Sequence, residues 1–258
     1  MVSEEAQPLR PAPIIRPRAS YQRSGSAALV TIERPERHNA VDGETAAALL
    51  AAFERFKADD DAAVMVLTGA GDQAFCAGAD LKAIDTLDPD APGGPLGFTR
   101  LPSPKPTIAA ISGHCVAGGL ELALWCDLRV ATTTSSFGCL ERRWGVPLID
   151  GGTQRLPRVI GTGRALDLIL TGRAVDAQEA LQMGLISRLV GPGEHVAAAV
   201  RLAHEIAAHP RDTTNSDRRA LLEGETLPLA EGLALEAALG RDRLQTAHDG
   251  AQRFARRK

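Results

Sequence analysis

Glu121 and the glycine turn before it carry the chemistry that is easiest to read from this chain. They lie in the stretch Ser112–Asp127, SGHCVAGGLELALWCD. The apolar run Thr107–Ile111 reads as a buried strand, and Gly118-Gly119 lead straight into Leu120-Glu121-Leu122-Ala123-Leu124-Trp125. The order is strand, tight turn, helix start. Glycine lets backbone N–H groups approach a ligand with no Cβ in the way. The first turn of a helix leaves its N–H groups unpaired and partly positive. Such a turn can hold an anion or a developing oxyanion. Glu121, a lone carboxylate on an apolar helix, is then a candidate acid or base. Glycines that serve close packing, with Glu121 turned to solvent, fit this stretch equally well.

The elements that must position this stretch follow from periodicity. Ala27–Glu33 is a short strand followed by turn residues. Asp42 is an N-cap for a helix whose Ala46, Leu49, Leu50, Phe53 and Phe56 recur at helical spacing and face a core. Ala63–Thr68 is apolar, as expected of a strand buried on both faces. After the turn Gly69–Asp72, the run Ala77-Gly78-Ala79-Asp80-Leu81-Lys82 makes a second strand-to-helix junction like that at Gly118. Two junctions after two buried strands form an approximate internal repeat. Residues 85–106, with six prolines and three glycines, read as a surface loop; loops this long in a compact domain are usually functional or disordered. Leu128–Thr132 is a further strand, and Gly151-Gly152 precede helical patterns through Leu156, Ile160 and Ala165–Leu170. Asp176 and Glu179 have capping-box spacing before a helix ending at Gly184. Ile186–Val190 is a last strand. From His195 the chain reads as helical, with breaks near Pro210 and Pro228. The class is α/β with an all-helical tail that packs on the core or on another subunit. The expected plan is a loose arm over 1–20, a core over 21–194 and a helical oligomerisation region over 195–258.

Composition narrows the partners. A net charge of −3 in 258 residues gives no electrostatic case for nucleic acid or an anionic membrane. Aromatic residues at 3% argue against base-stacking platforms. No apolar run reaches the length of a membrane span, and residues 1–20 lack an apolar signal core. Cys76, Cys115, Cys126 and Cys139 have no metal-ligand spacing, so no metal is expected. They read as buried reduced thiols, which suggests the cytoplasm.

The motifs taken together resemble the crotonase, or enoyl-CoA hydratase/isomerase, superfamily. In family order they are RPERHNAV, AVMVLTGAGDQAFCAGADLK, KPTIAAISGHCVAGGLELALWCDLRVA, FGCLE with GVPLIDGGTQRLPRVIG, and LTGRAVDAQEALQMGLISRLV. Only residues 1–20 and the proline loop fall outside them. The resemblance implies a spiral of strand–strand–helix turns with an all-helical C-terminal region. It implies a homo-oligomer, a trimer or a dimer of trimers, and an acyl-CoA thioester substrate with no separate cofactor. An oxyanion hole falls by motif position on the N–H groups of Ala79 and Gly118. Negative charge builds on a thioester oxygen when its β-carbon is attacked or an α-proton leaves, and one such donor is worth about 3 kcal/mol. Ala77, Asp80, Lys82, Gly119 and Trp144 are implied as substrate contacts, although a solvated Lys82 would read the same.

The resemblance also singles out a second glutamate. Hydratase members carry two catalytic glutamates twenty positions apart, as Glu121 and Glu141 are here. Water must lose a proton while the α-carbon gains one, so two carboxyl groups should flank it, and close placement pushes their pKa values apart. A surface ion pair with Arg142 or Arg143 is the alternative for Glu141. The chain departs from the family at Cys139-Leu140, at Arg142, Arg143 and Trp144, and at Asp150. A guanidinium aimed at Glu141 would weaken it as a proton donor, and Asp150 reads as a loop cap. His114 reads as a packing residue, Trp125 and Phe137 as core, and Trp144 as a wall of the acyl pocket. The expected activity is an enoyl-CoA hydratase. A double-bond isomerase needing one carboxylate and a silent acyl-CoA-binding protein are the rivals.

Overall fold

Long apolar strands that bury both faces set the architecture. The computed structural model describes residues 17–256. In chain order its elements are β1 (Ala19–Ser24), β2 (Ala27–Ile32), α1 (Gly43–Ala58), β3 (Val64–Gly69), β4 (Ala74–Cys76), β5 (Thr107–Ile111), β6 (His114–Val116), α2 (Gly118–Trp125), β7 (Leu128–Thr132), β8 (Ser136–Gly138), α3 (Gly152–Ile160), α4 (Thr162–Thr171), β9 (Ala174–Asp176), α5 (Ala177–Gln182) and β10 (Arg188–Val190). The helices α6 (His195–Ala207), α7 (Arg211–Gly224), α8 (Leu229–Arg241) and α9 (Leu244–Ala255) follow. One sheet has the order β1-β2-β3-β5-β7-β10, parallel except for β1; the other has β4-β6-β8-β9, parallel except for β9. Side chains alternate across a strand. Met65, Leu67, Ala109, Ile111 and Ala131 therefore enter the main core, while Val64, Val66, Ile108, Ala110 and Val130 meet Ala198, Ala199, Leu202 and Ala203 of α6. The expected strand–strand–helix spiral is present: β3 is followed by β4, β5 by β6 and α2, and β7 by β8.

Several expectations change in detail. The arm over 1–20 lies outside the described residues except at its end, where Ala19 and Ser20 already pair in β1. Its polar sequence hid this edge strand, because one face of an antiparallel edge is open to water. The Ala79 junction enters a 3₁₀ turn, Leu81–Thr86, with non-helical Ala83, in place of a regular helix. The proline loop is no surface loop through its middle, since Gly93 to Thr99 are buried. Phe98 packs at 4.5 Å on Trp125 and 5.3 Å on Phe53 between ring centroids. Ala46 and Leu50 of α1 are accordingly only part-buried, while Leu49, Phe53 and Phe56 are fully so. The N-cap at Asp42 is present, its carboxylate accepting from Thr45 N at 2.9 Å. Helix α6, the first of the helical region after 194, packs on the larger sheet through Ala198, Ala199, Leu202 and Ala203. His114 is exposed, with Nδ1 2.8 Å from Ser136 Oγ, and does not pack inside. Trp125, Phe137 and four free cysteines are buried, as read. No helix among the described residues is long and apolar enough to cross a membrane. Among the same residues no cluster of three or more metal-ligand side chains occurs.

Candidate active site

Three adjacent parallel strands, β4, β6 and β8, release the chain at one end of the smaller sheet. After β4 come Ala77–Ala79, after β6 Ala117-Gly118, and after β8 Cys139–Glu141. Neighbouring strands lie about 4.8 Å apart, so the three segments converge. Two backbone bonds fix the first: Val41 N donates to Gly78 O and Asp80 N to Val41 O, both at 2.8 Å. This parallel bridge uses the amide after Ala79 and leaves Ala79 N directed away from Val41. Gly118 N opens α2 and so has no intrahelical acceptor. A Cβ built on Gly78 would lie 2.6 Å from Gly118 N, and one built on Gly118 would lie 3.6 Å from Ala79 N. The two amides are therefore neighbours, and only glycine at 78, with φ +88°, permits the approach. Ala117 holds φ +53°, a costly conformation for a residue with a Cβ.

Glu121 stands one turn into α2, whose residues from Gly119 onward are all buried. Its Oε1 accepts from Gly152 N at 2.7 Å and Asp150 N at 3.0 Å. A Cβ at Gly152 would come within 2.9 Å of that oxygen, so glycine is needed there too. Glu141 sits in a 3₁₀ turn, Leu140–Trp144, and both of its carboxyl oxygens are buried with no hydrogen-bond partner among the described residues. Both carboxyls line one cavity of about 490 Å³, together with Ala79 and Gly118. Its walls are mainly apolar, with Leu81, Ile84, Leu87, Leu96 and Ile149 among them. Burial pushes Glu121 up to about 7; the Gly152 N–H opposes this and the negative Asp150 adds to it. Burial also raises Glu141, with Arg142 acting weakly the other way. Two carboxyls with raised proton affinity beside two amides that have no acceptor among the described residues can move protons on a substrate whose oxygen such amides hold.

The model of the family described as "Enoyl-CoA hydratase/isomerase" matches residues 22–258. The chain belongs to this family. An (E)-benzylidenesuccinyl-CoA hydratase of Thauera aromatica is 38% identical over 218 residues, covering 81% of this chain and 84% of that protein. A short-chain-enoyl-CoA hydratase of Clostridium acetobutylicum is 34% identical, with 84% and 85% covered. Among solved structures, the enoyl-CoA hydratase EchA1 of Mycobacterium marinum superposes with a TM-score of 0.89 at 35% identity, covering 94% of this chain and 97% of that one.

Within this family fold, the residues singled out by sequence separate into two groups. Ala77, Ala79, Gly118, Glu121, Glu141 and Trp144 line the cavity, Trp144 at its mouth with 74% of its surface exposed. Asp80, Lys82 and Gly119 do not line it. The Asp80 carboxylate caps Lys82 N at 3.1 Å and pairs with Arg34 Nη2 at 2.9 Å. Lys82 is exposed. Gly119 serves close packing: a Cβ there would lie 2.0 Å from Cys76 O. The feared guanidinium near Glu141 turns away, because Arg142 Nε donates to Ile169 O at 3.3 Å and Arg143 Nη2 to Gly172 O at 3.0 Å. Sequence reading missed what holds the site together. Buried Arg34 joins Asp80 to Asp42 at 3.1 Å, and Asn39 Nδ2 donates to Ala70 O and Ala74 O at 3.0 and 2.7 Å. Both lie in RPERHNAV, a motif that signalled the family and not this role. Leu96 was missed as a wall because prolines and glycines surround it.

Proposed function

We propose that this protein adds water across the 2,3 double bond of an acyl-CoA thioester. The observation that carries the reading is the pair of buried carboxyls sharing an apolar cavity with two unpaired amides. The thioester oxygen sits between Ala79 N–H and Gly118 N–H, which take up the negative charge that develops on it. Water lies between Glu121 and Glu141. Glu121, poised near neutral pH, accepts its proton as the hydroxyl bonds the β-carbon, and Glu141, whose proton affinity burial raises, supplies a proton to the α-carbon. Coenzyme A is part of the substrate, so the step itself calls for no further group. The named activities of the hydratase relatives support the same reading. The setting is cytoplasmic and the working particle a homo-oligomer, a trimer or a dimer of trimers.

A hydration assay on 2-enoyl-CoAs of graded chain length, followed by loss of the conjugated thioester absorbance, tests this. Turnover that disappears in both Glu121→Gln and Glu141→Gln upholds it. Conversion of a 3-enoyl-CoA to its 2-enoyl isomer without hydration would replace it by the isomerase. Tight acyl-CoA binding with no turnover at any length would replace it by a binding protein.

A further inference from the structure

We infer that Asp150 is a positioning residue that ties Glu121 to the wall of the cavity facing the acyl group. This rests on the reading of Glu121 as the proton acceptor. Asp150 is 3% exposed and works from both ends. Its backbone N–H holds Glu121 Oε1 at 3.0 Å. Its side-chain Oδ1 accepts from Leu96 N at 3.2 Å and from the buried Thr99 hydroxyl. Leu96 in turn packs toward the oxyanion site, where a Cβ on Gly118 would lie 2.8 Å from its Cδ1. Arg155 closes the same ring, donating from Nη1 to Asp150 O at 2.9 Å and from Nη2 to Thr99 O at 2.6 Å. Arg100 Nη2 adds a bond to Ile149 O at 3.0 Å.

A loop rich in proline and glycine has no ladder of its own to fix Leu96. Turn bonds such as Gly97 N to Gly94 O bracket Leu96, and its own N–H is held by the segment that also holds Glu121. The group thus joins two requirements of one reaction, a placed wall and a tuned base. Four ionisable neighbours bear on Glu121: Asp150 from the segment leading into α3, Arg155 from α3 itself, and Glu141 and Cys139 from the chain after β8. Asp150 and Arg155 both bond the loop as well, and of the four Asp150 is the one hydrogen-bonded to Glu121 itself.

The test uses ligand-free full-length protein, so it stands apart from turnover. Glutamate carrying ¹³C at the carboxyl is titrated by NMR, and the Glu121 resonance is assigned by its loss in Glu121→Gln. Exchange of the Leu96 amide is measured in parallel. Asparagine at 150 keeps an acceptor for Leu96 and Thr99 and loses the charge. Asp150→Asn should lower the Glu121 midpoint by about one pH unit and keep Leu96 protected. Asp150→Ala should lower the midpoint likewise and speed Leu96 exchange by about tenfold or more. Thr99→Val, which removes one of the two donors, should speed that exchange while the fold is kept. An unchanged Glu121 midpoint in Asp150→Asn, or an unchanged Leu96 exchange rate in both other variants, overturns the inference. If the midpoint moves while no enoyl-CoA is hydrated, the proposed activity falls and the tie stands.

Discussion

Each of the two glutamates has a measurable signature. Glutamine keeps the shape of either side chain without its proton chemistry, and an acid/base group contributes roughly 10²–10⁴-fold. Glu121→Gln and Glu141→Gln should each lose activity in that range with CoA affinity little changed, read by kcat and by equilibrium binding. A loss under about fivefold for Glu141→Gln would leave a one-carboxylate reaction as the better account. Glu121 also makes stability depend on pH. Its folded pKa of about 7 lies above the ordinary 4.5. The folded chain therefore binds this proton more tightly than the unfolded one, and stability falls as pH rises from about 4.5 to about 7. The full cost, present above that window, is at most about 3 kcal/mol. Glutamine removes the cost and still accepts from Asp150 N and Gly152 N through Oε1. Glu121→Gln should raise Tm by several degrees at pH 8 and little at pH 4.5. Equal changes at both pH values would show that burial does not govern this carboxyl.

At the scale of elements, the site is the meeting of two turns held by a third. Arg34 bridges Asp42, the cap of α1, and Asp80, which follows the Ala79 amide, with about 6% of its side chain exposed. Removing one partner of a buried ion pair costs about 3–5 kcal/mol. Arg34→Met should lower thermal stability by that order and weaken activity in the fraction that stays folded. The sharper test of the amides is an ester linkage in place of the Ala79 amide. It deletes one hydrogen and keeps the side chain, so turnover should fall by roughly 10²–10³-fold; unchanged turnover would place the oxyanion elsewhere. How much of this was legible depended on whether a residue's role leaves a local pattern. The strand–turn–helix at Gly118 and the buried strand Val64–Gly69 did, because both depend on nearest neighbours. Phe98 and Leu96 did not, since burial among prolines and glycines has no period. Arg142 and Arg143 could not be oriented by spacing, because the 3₁₀ turn ending at Gly145 sends them toward the end of α4. The motif around Asp80 does not reveal that its carboxylate caps Lys82 N and pairs with Arg34.

At the scale of the molecule, the helical tail is the part whose surface is out of balance. Helices α8 and α9 bury no residue, and several of their apolar side chains are exposed, Leu229 at 79%, Leu244 at 64% and Phe254 at 78%, while Leu235 and Leu239 are part-buried. Helix α7 is held to the core by Arg218, whose Nε donates to Asp127 Oδ2 and Nη1 to Ser103 O, both at 2.8 Å. At the start of the same helix Arg211 donates from Nη1 to Asp60 O at 2.5 Å and from Nη2 to Ala62 O at 3.2 Å, and the exposed leucines lie beyond these anchors. Single exposed leucines need no explanation, but several large apolar side chains exposed on two successive helices point to a contact surface. Identical chains close such surfaces by rotational symmetry. We therefore expect a trimer or a pair of stacked trimers in solution, and light scattering at micromolar concentration measures it directly. Leu229→Glu combined with Leu233→Glu places charge on this surface without touching the cavity. That variant should shift the particle toward the monomer and make Tm depend on protein concentration. A wild-type particle of monomer mass would refute the oligomer, and an unshifted double variant would move the contact to another face, such as the exposed Leu166 and Leu170 of α4.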